Sequence, residues 1–402
     1  MAAAKLFGGV IVGQASPTKL LRIILLSVAA CNALLFAVQA SSQGGTLIIS
    51  SIIWMVNGVL QGLAWGALVG AFVATFPDPS ERGSRYALLS GSQNAGSAAV
   101  ALFLLPYSND LATYAKQASR AEGASEGKWA ALRASLLLPA VLCAAAGVLL
   151  PGVIASMVPE ARVPPVDLVV RDAQAVKPAA AGNSSHGMLA ALRDPRQLCI
   201  AGSYFCLSVV RTAVAVWALQ FVPELAAGSV SPQTVGLALA AMEAGGFGGG
   251  VLAGAASDGL FGGRRGPAMV LACLVSCSML CVLALGPGAL GARVDLFSPG
   301  ALCALFVGIG GGAFAAHVLA GLLARELAPP ATREVAGGMV KAVAQLGSAA
   351  GAAPVGLVVA ATGWHTGVLL LAALMAGAAA FALPLWHTRS PQAGTPTLSK
   401  SK

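Results

Sequence analysis

The chain has 402 residues, of which 57% are hydrophobic and only 10% charged, against about 25% charged in a soluble domain. So few charges do not cover a water-facing surface of this size, which excludes a soluble globular enzyme. The formal net charge of +9 would suggest nucleic acid in a soluble protein, but here the basic residues fall mostly in short gaps between apolar runs, as in a polytopic membrane protein that binds no nucleic acid.

In chain order the apolar runs are 2–14, 20–41, 47–76, 86–106, 132–158, 197–221, 233–257, 267–287, 299–324, 335–361 and 365–386. A helix needs about 20 residues to cross a bilayer. The first run is therefore a stub and the other ten are predicted spans. The longest polar interruption, 159–195, is rich in Pro, Lys, Arg, Asp and Ser and reads as a linker. It separates an incomplete N-terminal bundle, 1–158, from a C-terminal bundle, 196–386, followed by a tail, 387–402. Six spans after the linker and four plus a stub before it form the pattern of a 6+6 protein without its first helix and part of its second.

Orientation follows from the loops. Lys19, Arg22, Arg82, Arg85, Arg162, Arg171, Lys177, Arg193, Arg196, Arg264, Arg265, Arg325, Arg333, Arg389, Lys400 and Lys402 fall on one side, and Lys116, Arg120, Lys128, Arg133 and Arg293 on the other. The richer side, with the linker and C-terminus, is predicted to be cytosolic.

Few ionisable groups fall at membrane depth, and each is a candidate for function because burying charge in lipid costs a few kcal/mol. Lys5 lies in the stub and is also placed to snorkel to the interface. Lys341 lies about two turns into its run and has the same option. His317 reads as a hydrogen-bonded packing residue, and Glu243 as a partner for a nearby base. Arg211 lies mid-run, too deep to snorkel easily and charged at any accessible pH. A permanent cation in a dry cavity favours an anion, and the guanidinium fork matches phosphate oxygens two at a time. The eight cysteines lie mostly in apolar runs without a CxxC pair. Cys273, Cys277 and Cys281 share a helix face and read as packing, so no metal and no cofactor is expected.

The stretch Trp54-Met-Val-Asn57-Gly58-Val-Leu-Gln61-Gly62-Leu-Ala-Trp65, followed by Phe76-Pro77 and Glu81-Arg82-Gly83, resembles the organophosphate:phosphate antiporter family of the major facilitator superfamily. Ser90-Gly-Ser92-Gln93-Asn94-Ala-Gly96 resembles that family's fifth helix. Asp194-Pro195, Arg211 with Trp217, and Glu243-Ala-Gly245-Gly246 resemble its seventh and eighth. Ser257-Asp258-Gly-Leu-Phe-Gly-Gly-Arg264-Arg265-Gly266 resembles the second copy of the facilitator loop motif. MEAGGFGGG and Glu326-Leu-Ala-Pro329-Pro330 are most similar to the branch that translocates glucose 6-phosphate in the endoplasmic reticulum.

The resemblance implies an all-α facilitator fold of two six-helix bundles. It implies an antiporter that exchanges a glucose-6-phosphate-like sugar phosphate for inorganic phosphate by alternating access, acting as a monomer in the endoplasmic-reticulum membrane, with plastid and plasma membranes as alternatives. It places Arg211 at the substrate phosphate, assisted by Lys5 and Lys341, with Gln93, Asn94 and Trp217 also facing substrate. Asn57 and Gln61 are expected to hydrogen-bond between helices. Glu243 balances charge, and Asp258 pairs with Arg264 or Arg265 in a cytoplasmic clamp. Glycerol 3-phosphate as cargo and a non-transporting phosphate-ester sensor remain open alternatives. An intramembrane enzyme is not expected, because the chain has no HExxH, no paired membrane aspartates and no credible Ser–His arrangement.

Overall fold

Proline and short polar side chains start the helices. Asp194 accepts from the Arg196 N–H just before Pro195, and Ser231 accepts from the Thr234 N–H just before Pro232. Proline at the first turn removes a donor that has no partner there in any case. Glycine ends two of them, with Gly286 at φ 69° and Gly363 at φ 80°, conformations that side chains with a Cβ rarely adopt.

The computed structural model describes residues 17–40, 46–75, 79–107, 126–157, 193–286, 295–328 and 333–388. These form α1 (Pro17–Ala40), α2 (Thr46–Thr75), α3 (Pro79–Leu104), α4 (Glu126–Met157), α5 (Pro195–Leu225), α6 (Pro232–Gly259), α7 (Arg265–Leu285), α8 (Pro299–Leu327), α9 (Arg333–Gly351), α10 (Ala353–Thr362) and α11 (Trp364–Ala382). Each of the ten predicted spans is helical. Among the described residues, seven stretches, within α1, α5, α6, α7, α8, the α9–α10 pair and the α11 region, are long and apolar enough to cross a membrane. The apolar stretches within α2 and α4 are shorter, Ile48–Ala64 and Ser135–Leu150.

One predicted span is not continuous. The run 335–361 breaks at Ala352 into α9 and α10. Pro354 lacks the N–H that would continue the ladder, and its ring crowds the preceding turn.

The chain forms two compact units, residues 1–86 with 104–181, and residues 87–103 with 182–402. The middle of α3 thus groups with the second unit. In the first, α1 packs against α2 and α4 around Leu21, Ile24 and Val28. Asn57 on α2 donates to Asn32 on α1 at 3.4 Å and accepts from Gln61 at 3.1 Å. The interhelical bond expected at Asn57 is present, with Asn32 as the partner, whereas Gln61, expected to bond between helices, bonds to Asn57 one turn away on the same helix.

In the second unit the main packed pairs are α6 with α8, α5 with α9, and α7 with both α8 and α11. Phe221, Phe306, Leu207, Met269, Leu280 and Ile309 are buried in its core. The α6–α8 contact is backbone on backbone. A Cβ on Gly245 or Gly249 would collide with the carbonyls of Val307 and Gly311, and one on Gly310 with the carbonyl of Met242. Where lipid is as apolar as the side chains, such close approach supplies the packing attraction that holds helices together. Large aliphatic residues such as Leu252 and Leu357 stand exposed at 71% and 74%, as a lipid-facing surface requires.

Backbone atoms cannot yield as a flexible side chain does, so Gly310→Ala is expected to cost about 1–3 kcal/mol or more by overpacking. Gly254→Ala, where nothing lies within 4 Å of the added methyl, should leave stability nearly unchanged. Thermal unfolding in detergent, followed by tryptophan fluorescence, compares the two. Equal melting temperatures would contradict the close-approach account.

Candidate functional site

Within the second unit, three helices bring polar groups together at one level. Tyr204 and Arg211 lie two turns apart on α5 and so share a face. Phe314 and His317 lie one turn apart on α8, and Glu243 lies one turn before Gly246 on α6. The Arg211 guanidinium carbon stands 3.5 Å from the centroid of the Phe314 ring, a cation–π contact. Its Nη1 lies 3.4 Å from both ring nitrogens of His317. The Tyr204 hydroxyl lies 2.8 Å from His317 Nε2, and the two rings are 4.2 Å apart.

Gly246 makes this arrangement possible. A Cβ there would come within 2.6 Å of the Phe314 ring. Without one, the ring packs close to α6 while its face meets the guanidinium. The Glu-x-Gly-Gly motif thus has a division of labour, with Gly245 admitting the α8 backbone and Gly246 admitting the Phe314 ring.

Two polar atoms here are buried without a hydrogen-bond partner, Arg211 Nε and Glu243 Oε2. Arg211 and Glu243 attract each other through space, yet among the described residues no ion pair within 4.0 Å joins them. Leaving a buried donor unsatisfied costs about 1–3 kcal/mol. A charged group held in that condition at membrane depth is a candidate for binding a ligand.

Of the other residues singled out from the sequence, Lys341 is half-buried on α9, and on α3 Asn94 is buried while Gln93 is exposed. Trp217 has a structural partner. Its indole N–H donates to the Ala352 carbonyl at 3.0 Å, and its ring lies 5.7 Å from that of Trp364. It therefore satisfies a carbonyl at the α9–α10 break. Lys5 lies outside the described residues. Tyr204 and Phe314 were not legible as site residues, and His317, singled out by its depth, read as a hydrogen-bonded packing residue. No linear signal ties α5 to α8, more than 100 residues on. The Phe314-x-x-His317 spacing on one helix face was the only hint. Among the described residues no group of three His, Cys, Asp or Glu side chains is arranged to hold a metal ion. Cys273 is buried, and Cys277 donates to the Ala372 carbonyl at 3.3 Å.

No protein-family model matches the chain. A probable hexose phosphate transport protein of Chlamydia pneumoniae is 25% identical over 96% of this chain and 80% of its own length. Among solved structures, the Escherichia coli fucose:proton symporter FucP matches with a TM-score of 0.59 at 14% identity, covering 95% of this chain and 87% of that one. A D-xylose–proton symporter matches with 0.61 at 15% identity over 98% and 87%. A bacterial homologue of the lysosomal transporter Spinster matches with 0.60 at 11% identity over 96% and 86%.

The chain has the major facilitator fold.

It is an integral membrane protein of transporter fold. The facilitator loop motif between α6 and α7 is built around Arg265. This side chain pairs with Asp258, donates to the Ser257 hydroxyl and reaches Glu326 at the end of α8 at 3.3 Å. Arg264 instead donates to the Phe261 carbonyl at 3.1 Å. Of the two arginines expected as partners for Asp258, the structure selects Arg265 and adds Glu326. Arg265 and Glu326 are each 13% exposed, whereas Asp258 is 66% exposed. Water screens the Asp258 pair strongly and the Glu326 pair weakly.

Glu326→Gln should therefore destabilise the protein by about 1.5–3 kcal/mol, the range for hydrogen bonds to charged groups. Asp258→Asn should cost about 0–1 kcal/mol, and Arg264→Ala no more than about 0.5. Melting temperatures of the three variants in detergent, ranked in that order, check the assignment.

Proposed function

We propose that this protein is a membrane antiporter that exchanges a phosphorylated hexose, of the glucose 6-phosphate type, for inorganic phosphate by alternating access. One observation carries the reading: Arg211 is a half-buried, permanent cation whose buried Nε has no partner and which meets no carboxylate within 4.0 Å among the described residues. A guanidinium in that condition takes a phosphoryl group through paired, charge-assisted hydrogen bonds, each about twice as strong as a neutral one. The relative named as a hexose phosphate transport protein supports a sugar phosphate as cargo.

Exchange follows from charge. An empty site carrying an uncompensated cation reorients slowly, because the cation must cross low-dielectric surroundings unneutralised. Either a sugar phosphate or inorganic phosphate neutralises it and lowers that barrier, so inward and outward steps both proceed with cargo. Glu243, near Arg211 but not bonded to it, offsets part of the charge when the site is empty. Lys341 and Lys5 add positive potential for the anion, while Gln93 and Asn94 supply hydrogen bonds to the cargo. The sequence resemblance favours an endoplasmic-reticulum membrane and a monomeric unit.

Counterflow in proteoliposomes tests this. Uptake of glucose 6-phosphate should be stimulated at least about tenfold by internal phosphate, and Arg211→Ala, which removes charged hydrogen bonds of about 1.5–3 kcal/mol each, should abolish it. Equal uptake with and without internal phosphate would refute exchange. Wild-type uptake by Arg211→Ala would refute the site.

A further inference from the structure

The Nη1 of Arg211 lies equally far, 3.4 Å, from Nδ1 and Nε2 of His317, so it rests over the imidazole face rather than along one in-plane lone pair. That contact favours a neutral ring, since an imidazolium would place like charges together. The Tyr204 hydroxyl engages Nε2 at 2.8 Å and holds the ring at its edge.

The guanidinium is then held in two ways. Its face rests on Phe314 at 3.5 Å, and its Nη1 is engaged by His317. The opposite edge, Nε with Nη2, is left. Nε is buried and unpartnered, and Nη2 makes no hydrogen bond to the described residues. That edge is one of the two through which arginine grips two oxygens of one phosphoryl group.

We propose that His317, its ring held by Tyr204, is the positioning residue of the anion site, turning Arg211 so that its Nε–Nη2 edge receives the phosphoryl group. This rests on the reading of Arg211 as the anion-binding residue and adds two residues and a direction of approach to it.

The test measures KM and Vmax for inorganic phosphate in phosphate-loaded proteoliposomes, with folding checked by melting temperature. His317→Leu should raise KM about tenfold, within reach of one desolvated cation–π contact, with Vmax little changed, because the guanidinium remains but is misdirected. His317→Phe, which keeps an aromatic face, should recover most of the affinity. Tyr204→Phe should raise KM severalfold in the wild-type background and not at all in His317→Leu, since it acts only through the imidazole. A wild-type KM in folded His317→Leu, while Arg211→Ala has lost phosphate binding, overturns this proposal and leaves the anion site standing. Unchanged phosphate binding in Arg211→Ala overturns the site itself. Should His317→Leu not fold, Tyr204→Phe decides alone, and a wild-type KM for that variant overturns the proposal.

Discussion

The second unit is organised around a cation held without a counter-ion in contact. A guanidinium at membrane depth is tolerated only if its surroundings return part of the hydration it has lost. Here an aromatic face, an imidazole and a carboxylate at a distance do so, and none of them closes the donor edge. That arrangement dictates much else. Phe314 packs close to α6 at position 246, where glycine leaves it room. The α6 and α8 backbones must touch to bring Glu243 and Phe314 to one level, so Gly245, Gly249 and Gly310 line the crossing. The glycine-rich MEAGGFGGG phrase is the packing requirement of a charged site.

A second arginine solves the opposite problem. Arg265 sits where α6 turns into α7, at the end of the helices, and it is saturated by Asp258, Ser257 and Glu326. Its charge is spent on holding three chain segments together. Arg211 and Arg265 show why residue type alone does not assign a role. The same side chain is a binding group where its neighbours leave donors open and a structural hub where they close them.

The break between α9 and α10 adds a third constraint. Pro354 stops the helix, and Trp217 satisfies the Ala352 carbonyl. Gly347 and Gly351 let α9 lie on the backbone of α5 near Phe205 and Val209. The same α5 helix carries Tyr204 and Arg211 within that stretch, so the register of α5 against α9 and that of the site are tied together.

Hydropathy and charge settled the class of this protein, because insertion in lipid depends on the sum of local transfer energies along the chain, which is written residue by residue. The helical runs, seven of them long and apolar enough to span among the described residues, and the deep arginine were readable this way. The break at Ala352 was written too, in Pro354, but an unbroken apolar run concealed it. What no local sum contains is which side chain meets which across helices. That His317 faces Arg211 and not solvent, that Arg265 rather than Arg264 takes Asp258, that Glu326 joins it, and that Trp217 turns to a backbone carbonyl were decided by helix register. Register is set by backbone approach at a handful of glycines, each stacked against a residue distant in the chain, and only the folded molecule brings those pairs together.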